Sequence, residues 1–208
     1  MPDVLDATRE ASAIRRARPD EGGALARTLA RAFYDDPVAA WMMPRGERRM
    51  DQLERAFAIG LNGIFLQEGE CWTTDGVVGA SIWQPPGMWR VPILRQLRLL
   101  PPLALVYRGD MPRALSGFQL LEREHPHDAD HWYLPFIGVD PDWQGKGIGT
   151  ALLQPILERC DRDGLPAYLE ASTPRNRECY LRNGFEVVGT LTHRNGPTMW
   201  KMWREPRG

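Results

Sequence analysis

The segment QGKGIGT at residues 144–150 constrains the fold of this chain more than any other feature. The apolar run before it, residues 132–139, predicts a buried strand, and residues 150–160 carry apolar side chains at helical spacing. A strand, a glycine-rich turn and a helix place free N–H groups and the positive end of the helix dipole at the turn. Such a turn binds phosphate or pyrophosphate, and Lys146 adds a positive charge.

Several kinds of phosphate loop resemble this segment. A Walker A loop requires Gly-Lys followed by Ser or Thr, and here Gly147 follows Lys146, so that interpretation fails. A dinucleotide fingerprint matches Gly145 and Gly147, but Thr150 stands where the third small residue belongs. Glu170 does lie about 20 residues further on, as that fingerprint requires. An alternative without phosphate binding is an ordinary glycine-rich turn with a solvated lysine.

Composition narrows the class of protein. The chain has 208 residues, of which 43% are hydrophobic and 25% charged, which is typical of one soluble globular domain. Its formal net charge of −1 offers no basic excess for nucleic acid or an anionic membrane. No signal-peptide pattern is visible, and no apolar run of about 18 residues would span a membrane. Cys71, Cys160 and Cys179 have no metal spacing, so a cytoplasmic protein with free thiols is expected.

The pattern of predicted elements mixes helices and strands along the whole chain. Strands are predicted at residues 13–17, 71–74, 77–84, 132–139, 167–170, 185–192 and 198–203. Helices are predicted at residues 19–34, 48–67, 150–160 and 177–182, with two or three more within 88–125. Because a helix connects the strands at 132–139 and 167–170, we expect these two strands to be parallel.

Two motifs resemble those of the GCN5-related N-acetyltransferase (GNAT) family. Residues 144–149 fit its Gln/Arg-x-x-Gly-x-Gly/Ala turn, and residues 176–189 resemble its C-terminal signature, with Asn176, Tyr180 and Gly184-Phe185. The resemblance implies an α/β (α+β) fold, with a central mixed, mostly antiparallel sheet of six or seven strands, a V-shaped splay and flanking helices. Residues 1–208 would form a single domain, in which 88–125 is a helical insertion over the acceptor cleft.

The resemblance also implies acetyl-CoA as cosubstrate and no metal. The pantetheine arm would pair with the splayed strand, and the pyrophosphate would lie on the N–H groups of the turn. The residues implied for this role are Ile137, Gly138, Val139, Gln144, Gly145, Lys146, Gly147, Ile148, Gly149, Thr150 and Asn176. Asn176 has an alternative role as a helix N-cap. A metal site built from His125, His127, Asp128 and Asp130 has no second cluster to support it.

Acetyl transfer to an amine requires a base, a polarised carbonyl and a proton for the leaving thiolate. By resemblance, Tyr180 is the general acid, and a backbone N–H near residues 137–139 is the oxyanion donor. Glu170 is the candidate general base because it ends the strand parallel to the cofactor strand; alternatively it orders the loop at 171–176. Family members differ in the base, and some use a water chain. Further candidates, each with a structural alternative, are Tyr34, Asp35, Asp36 and His131.

The expected function is direct transfer of an acetyl group to a primary amine of a small molecule, such as an antibiotic or a nucleoside-like compound. Trp83, Trp89 and Trp132 fall near the predicted cleft and could stack on an aromatic or nucleoside acceptor, although core or surface packing is the favoured alternative for each. Acetylation of a protein or peptide amine is an alternative, and so is a non-catalytic CoA-binding regulator. Dimers are common in the family, so a homodimer is one expected assembly.

Overall fold

The computed structural model describes residues 13–44 and 46–207, and in them seven strands form one sheet with the order β1-β2-β3-β4-β5-β7-β6. The strands are β1 (Ile14–Arg16), β2 (Glu70–Thr74), β3 (Gly79–Gln84), β4 (Trp132–Val139), β5 (Ala167–Ala171), β6 (Glu186–Thr192) and β7 (Thr198–Arg204). Only the β4–β5 pair is parallel; every other pair is antiparallel. The predicted mixed, mostly antiparallel sheet is therefore confirmed.

Helices flank both faces of this sheet. They are α1 (Gly22–Ala32), α2 (Pro37–Met42), α3 (Arg49–Gly60), α4 (Ile93–Tyr107), α5 (Met111–Glu124), α6 (Ile148–Asp163) and α7 (Pro174–Arg182). A π-helical turn at Leu61–Phe65 and a last turn at Leu66–Glu68 continue α3. No helix in the described part of the chain combines the length and apolar character needed to cross a membrane.

Helix starts differ from the sequence predictions for local reasons. Residues 38–43, predicted only as an apolar piece, lie mostly in α2, because the Asp36 side chain accepts hydrogen bonds from the N–H groups of Val38 and Ala39. Helix α7 begins at Pro174 rather than residue 177, since the Thr173 hydroxyl accepts from the N–H of Asn176 at 3.1 Å. The alternative role of Asn176 as an N-cap is therefore wrong; Thr173 is the cap.

The two faces of the sheet bury separate cores. Adjacent residues of a strand point to opposite faces, so Trp83 packs against α6 while Ile82 packs against α1. A third apolar cluster joins α2, α3, α4 and α5 through residues such as Leu53 and Val106. This third cluster fixes the position of α4 and α5 beside the central strands.

The sheet opens between its two parallel strands. Pairing of β4 with β5 runs from Trp132 and Ala167 to Leu134 and Leu169 and then stops, although β4 continues to Val139. Its other edge remains paired with β3 as far as Val139. Pro135, the first residue past the paired segment, has no N–H to donate. One edge of residues 135–139 thus lacks a strand partner among the described residues.

Candidate active site

The glycine-rich turn adopts a left-handed backbone at two positions. Gly145 has φ +79° and Gly147 has φ +80°, conformations that disfavour residues with a Cβ. Gly147 is the N-cap of α6, and its carbonyl accepts from the N–H of Ala151 at 3.0 Å. The N–H groups of residues 148–150 therefore lie in the first turn, where no helical carbonyl can accept from them.

Side-chain contacts hold this turn against neighbouring elements. Gln144 Nε2 donates to the Val139 carbonyl at 3.1 Å, and Gln144 Oε1 accepts from Arg175 at 3.1 Å. Arg31 of α1 binds both oxygens of Asp140 and one oxygen of Asp142. The Arg31 guanidinium lowers the pKa of the Asp140 carboxyl. Helices α1 and α7 thus both fix the end of β4.

A cavity of about 340 Å³ lies between the turn, the unpaired edge of β4 and α7. The predicted cofactor residues that line it are Ile137, Gly138, Val139, Gln144, Gly145, Gly147, Ile148, Gly149, Thr150 and Asn176. Lys146 does not line it, and its Nζ lies 4.4 Å from the ring centroid of Trp143, which does. All the predicted cofactor-binding residues except Lys146 therefore line one cavity.

Sequence reasoning missed two basic residues of this cavity. Arg175 and Arg182 of α7 both line it, together with Cys179, whose Sγ lies 3.9 Å from Thr150 Oγ1. Their spacing places all three on one face of a helix. That signal was hidden because the helix was predicted to start after Arg175.

A second cavity, of about 420 Å³, lies on the other side of the opening. Its walls come mainly from apolar side chains of α3, α4 and α5, and Glu170, Asp36 and Ser172 also line it. Five residues line both cavities: Phe33, Asp36, Ile137, Asn176 and Tyr180. Three of the predicted site residues, Ile137, Asn176 and Tyr180, and the further candidate Asp36 therefore lie at the junction of the two cavities.

Glu170 lies at the point where β4 and β5 separate. Its Oε2 accepts a hydrogen bond from the Tyr133 hydroxyl at 2.9 Å, while its Oε1 is buried without a partner. Burial raises the pKa of Glu170 to about 7, and the Tyr133 and Tyr168 hydroxyls oppose that rise. A carboxyl group with this pKa exchanges protons near neutral pH.

Tyr180 is 7% exposed, and its ring packs on Phe185 with a centroid distance of 5.9 Å. Burial raises the pKa of its hydroxyl, and the nearby Cys179 and Asp36 add to the effect. The phenol is therefore held protonated at neutral pH. A protonated hydroxyl at the junction of two cavities can donate a proton to a group in either one.

Asp36 is the one member of the trio Tyr34, Asp35 and Asp36 that lines the cavities. One carboxylate oxygen caps α2, and the other accepts from the Ser172 hydroxyl. The Tyr34 carbonyl accepts from Arg49, a buried side chain that ties α1, α2 and α3 together. Asp36 therefore caps α2 and also lines both cavities.

His131 does not line either cavity; it forms a buried pair with His125, whose Nε2 lies 2.9 Å from His131 Nε2. His131 Nδ1 lies 2.8 Å from the Ala129 carbonyl, so we assign it as a donor and His131 Nε2 as an acceptor. No group of three or more metal-ligating side chains exists within residues 13–44 and 46–207.

The three tryptophans considered for acceptor stacking separate into two groups. Trp83 and Trp132 are buried in the core under α6 and line neither cavity. Trp89 lines the larger cavity, where its ring stacks on His125 at a centroid distance of 3.9 Å. Stacking on an acceptor is therefore wrong for Trp83 and Trp132, and the alternative of core packing is confirmed for both.

Comparison with known proteins places this architecture in a family. The family model described as acetyltransferase (GNAT) family matches residues 30–185, which include the turn, Glu170 and Tyr180. The chain belongs to the GNAT family. A relative that supports the assignment is an uncharacterized N-acetyltransferase of Schizosaccharomyces pombe, 31% identical over 190 residues that cover 83% of this chain and 74% of the relative.

Other GNAT relatives match a smaller part or show the fold alone. A mycothiol acetyltransferase of Propionibacterium freudenreichii is 33% identical over 92 residues, which cover 43% of this chain but 30% of the relative. The structure of a histone acetyltransferase HPA2 and related acetyltransferase from Corynebacterium glutamicum superimposes with a TM-score of 0.70 at 22% identity, covering 94% of this chain and 96% of the other. The GNAT protein is thus an acyl-CoA-dependent N-acetyltransferase, and its predicted fold class is confirmed.

Proposed function

We propose that this GNAT protein transfers an acetyl group from acetyl-CoA to a primary amine of a small molecule. The observation that carries the proposal is the meeting of two cavities at Tyr180 and Asn176. One cavity has the features of a cosubstrate site, and the other contains a carboxyl group that titrates near neutral pH. An acyl donor and an amine would therefore approach each other from opposite sides of the opening.

The residues of the smaller cavity fit acetyl-CoA. The left-handed glycines and the first turn of α6 suit a pyrophosphate, and Arg175 and Arg182 supply positive charge for phosphate oxygens. The unpaired edge of β4 suits an extended, amide-bearing arm, which would pair with it as an added strand does. When bound, acetyl-CoA supplies the acetyl group as an activated thioester.

In this proposal Glu170 takes a proton from the acceptor amine. Its Oε2 accepts a hydrogen bond from Tyr133, and its carboxyl group lines the larger cavity, where the amine would approach. Tyr180 is placed to give a proton at the junction, where its raised pKa keeps the hydroxyl protonated. The reaction needs one proton removed from nitrogen and one delivered to sulfur, and these two residues match those needs.

A sequence resemblance and the shape of the larger cavity both support a small-molecule amine as the acceptor. Residues 139–149 and 166–176 resemble puromycin N-acetyltransferase, which favours an antibiotic or nucleoside-like amine. Residues 88–125 lie outside that resemblance, and their helices α4 and α5 supply walls of the larger cavity. We infer that this segment of the single domain 1–208 determines the choice of acceptor. Walls on several sides favour a small molecule over a protein chain as acceptor.

The test is acetyl-CoA-dependent release of free thiol, screened over puromycin, aminoglycosides, polyamines, amino acids and short peptides. A control without acceptor corrects for Cys71, Cys160 and Cys179, which are free in the structure. We expect turnover with at least one small amine. Acetyl-CoA that raises Tm without any turnover would favour the non-catalytic regulator, and no change in Tm would remove the cosubstrate assignment.

A further inference from the structure

We propose that the acceptor is a lipophilic amine, in which a primary amine is attached to an extended apolar or aromatic body that carries no anionic group. This inference rests on the proposed function and specifies the substrate of the same site. It is drawn from three properties of the larger cavity: its walls, its charges and the hydrogen bonds that its polar side chains already make.

The walls of the larger cavity are apolar over most of their extent. Its volume of about 420 Å³ falls within the range of roughly 300–1,000 Å³ seen for pockets that enclose small ligands. Representative wall residues are Phe57, Leu61, Leu99, Leu103, Phe118 and Leu121. They come from α3 and its π-helical continuation, from α4 and from α5. A ligand body that fills this space is desolvated, so an apolar body is favoured.

The charged side chains that line the cavity are mainly acidic. Asp36, Glu122 and Glu170 line it, and Arg90 is the one lysine or arginine among the described lining residues. Arg90 Nε lies 3.8 Å from Glu122 Oε1, so its charge is already partly balanced. Asp36, which acts on Tyr180, and Glu170 thus both offer negative charge in this cavity to attract an ammonium group. A carboxylate or phosphate on the ligand would meet repulsion there.

Two glutamine side chains of the cavity already use their amide N–H groups. Gln84 Nε2 donates to the Met88 carbonyl at 3.2 Å, and Gln96 Nε2 donates to the Val91 carbonyl at 2.8 Å. Hydroxyl-rich ligands need several donors and acceptors, because each hydroxyl buried without a partner costs free energy. Sugar-based amines therefore fit this cavity less well than a body of hydrocarbon or aromatic rings. A second ammonium group, as in a polyamine, would lose its hydration among the apolar walls.

The experiment compares straight-chain primary amines from butylamine to decylamine with two matched compounds, 8-aminooctanoic acid and 1,8-diaminooctane. The full chain is used, kcat/KM is measured by thiol release, and amine binding is measured by calorimetry in the presence of CoA, which cannot donate an acetyl group. We expect kcat/KM to rise about fourfold for each added methylene until the cavity is filled. The acid and the diamine should be about 100-fold poorer than octylamine.

A matched pair of variants on α4 tests the wall directly. Leu103 lines the cavity, whereas Leu105 on the same helix is 78% exposed and does not. Leu103→Asn should raise KM for octylamine about tenfold while KM for acetyl-CoA stays unchanged. Leu105→Asn should alter neither. Because Leu103 also packs in the third core cluster, melting curves of both variants accompany the kinetics.

The outcomes separate this inference from the function on which it rests. Rates that do not depend on chain length, or equal rates with octylamine and 8-aminooctanoic acid, would overturn the lipophilic acceptor and leave acetyl transfer standing. Turnover confined to aminoglycosides or polyamines would do the same. Bound acetyl-CoA without acetylation of any amine, apolar or polar, would overturn the proposed function itself.

Discussion

The Tyr133 hydroxyl donates a hydrogen bond to Glu170 Oε2 at 2.9 Å, across the two strands whose separation opens the sheet. Leu134 and Leu169 are the last paired residues, so this contact lies at the apex of the opening. Burial raises the pKa of Glu170 to about 7, and the Tyr133 hydrogen bond keeps that pKa from rising further. The relationship thus places the ionisation of a candidate base near neutral pH.

Replacement of Tyr133 should shift the pH profile of acetyl transfer. Tyr133→Phe removes a hydrogen bond to the charged carboxylate, so the pKa of Glu170 should rise above about 7. If Glu170 acts as the base in its ionised form, the acidic limb of kcat/KM moves to higher pH, and activity at pH 6.5 falls more than activity at pH 9. The acceptor's own ionisation is common to both enzymes and cancels in the comparison.

Tyr107→Phe is the control for that experiment. Tyr107 also lines the larger cavity and has a buried phenol, whose pKa burial raises to about 12. Glu170 is not among the groups that affect the pKa of Tyr107. The pH profile of kcat/KM for Tyr107→Phe should therefore keep the acidic limb of the wild-type enzyme. If Tyr133→Phe and the wild-type enzyme have the same acidic limb of kcat/KM, ionisation of Glu170 does not control the rate.

Glu170→Gln should stabilise the protein at high pH while abolishing most activity. The pKa of this carboxyl is 4.5 when unperturbed and about 7 in the folded protein, so the folded state binds the proton more tightly. Stability therefore falls as pH rises from about 4.5 to 7, by up to about 3 kcal/mol. The difference in Tm between Glu170→Gln and wild type should grow from pH 5 to pH 8. A Tm difference between Glu170→Gln and wild type that is the same at pH 5 and pH 8 would contradict the raised pKa of Glu170.

Removal of the Tyr180 hydroxyl should separate binding from chemistry. Tyr180→Phe keeps the ring that packs on Phe185, so the fold and the Kd for CoA should be unchanged. Loss of a positioned proton donor should lower kcat by about 100-fold or more. The measurement is steady-state kinetics together with calorimetric titration of CoA. An unchanged kcat would exclude Tyr180 from the mechanism.

The left-handed glycine at the N-cap of α6 should be needed for cosubstrate binding. Gly147→Ala forces a Cβ into φ +80°, which costs about 1–2 kcal/mol, and distorts the turn that presents N–H groups. Gly87→Ala is the matched control, since Gly87 has φ +76° and a methyl group added at either glycine would meet open space. Both variants should lose similar stability in thermal melts. Only Gly147→Ala should also weaken CoA binding.

Arg175, which sequence reasoning missed, should contribute more to acetyl-CoA binding than Lys146, which it selected. Arg175 lines the smaller cavity and donates to Gln144, whereas Lys146 lies over Trp143. Arg175→Ala should raise KM for acetyl-CoA about tenfold, the effect expected for one charge-assisted hydrogen bond. Lys146→Ala should change it less than about threefold, as for an exposed surface charge. A larger effect for Lys146 would restore the sequence-based assignment.

The sequence by itself determined the central unit of this protein. The apolar run of β4, the glycines at 145 and 147 and the amphipathic α6 are local features, and a strand–turn–helix with free N–H groups follows from them without distant contacts. Motif spacing likewise identified the family, and the parallel pairing of β4 and β5 follows from the helical connection.

Only the tertiary structure decided which side chains meet in the site. The place of Asp36 depends on a hydrogen bond to Ser172, 136 residues away, and the pKa of Glu170 depends on burial beside Tyr133. The burial of Trp83 under α6 and the contact of Lys146 with the Trp143 ring are also results of packing. Burial and long-range contacts are set by how α4 and α5 pack beside the sheet, and local sequence patterns carry no record of that arrangement.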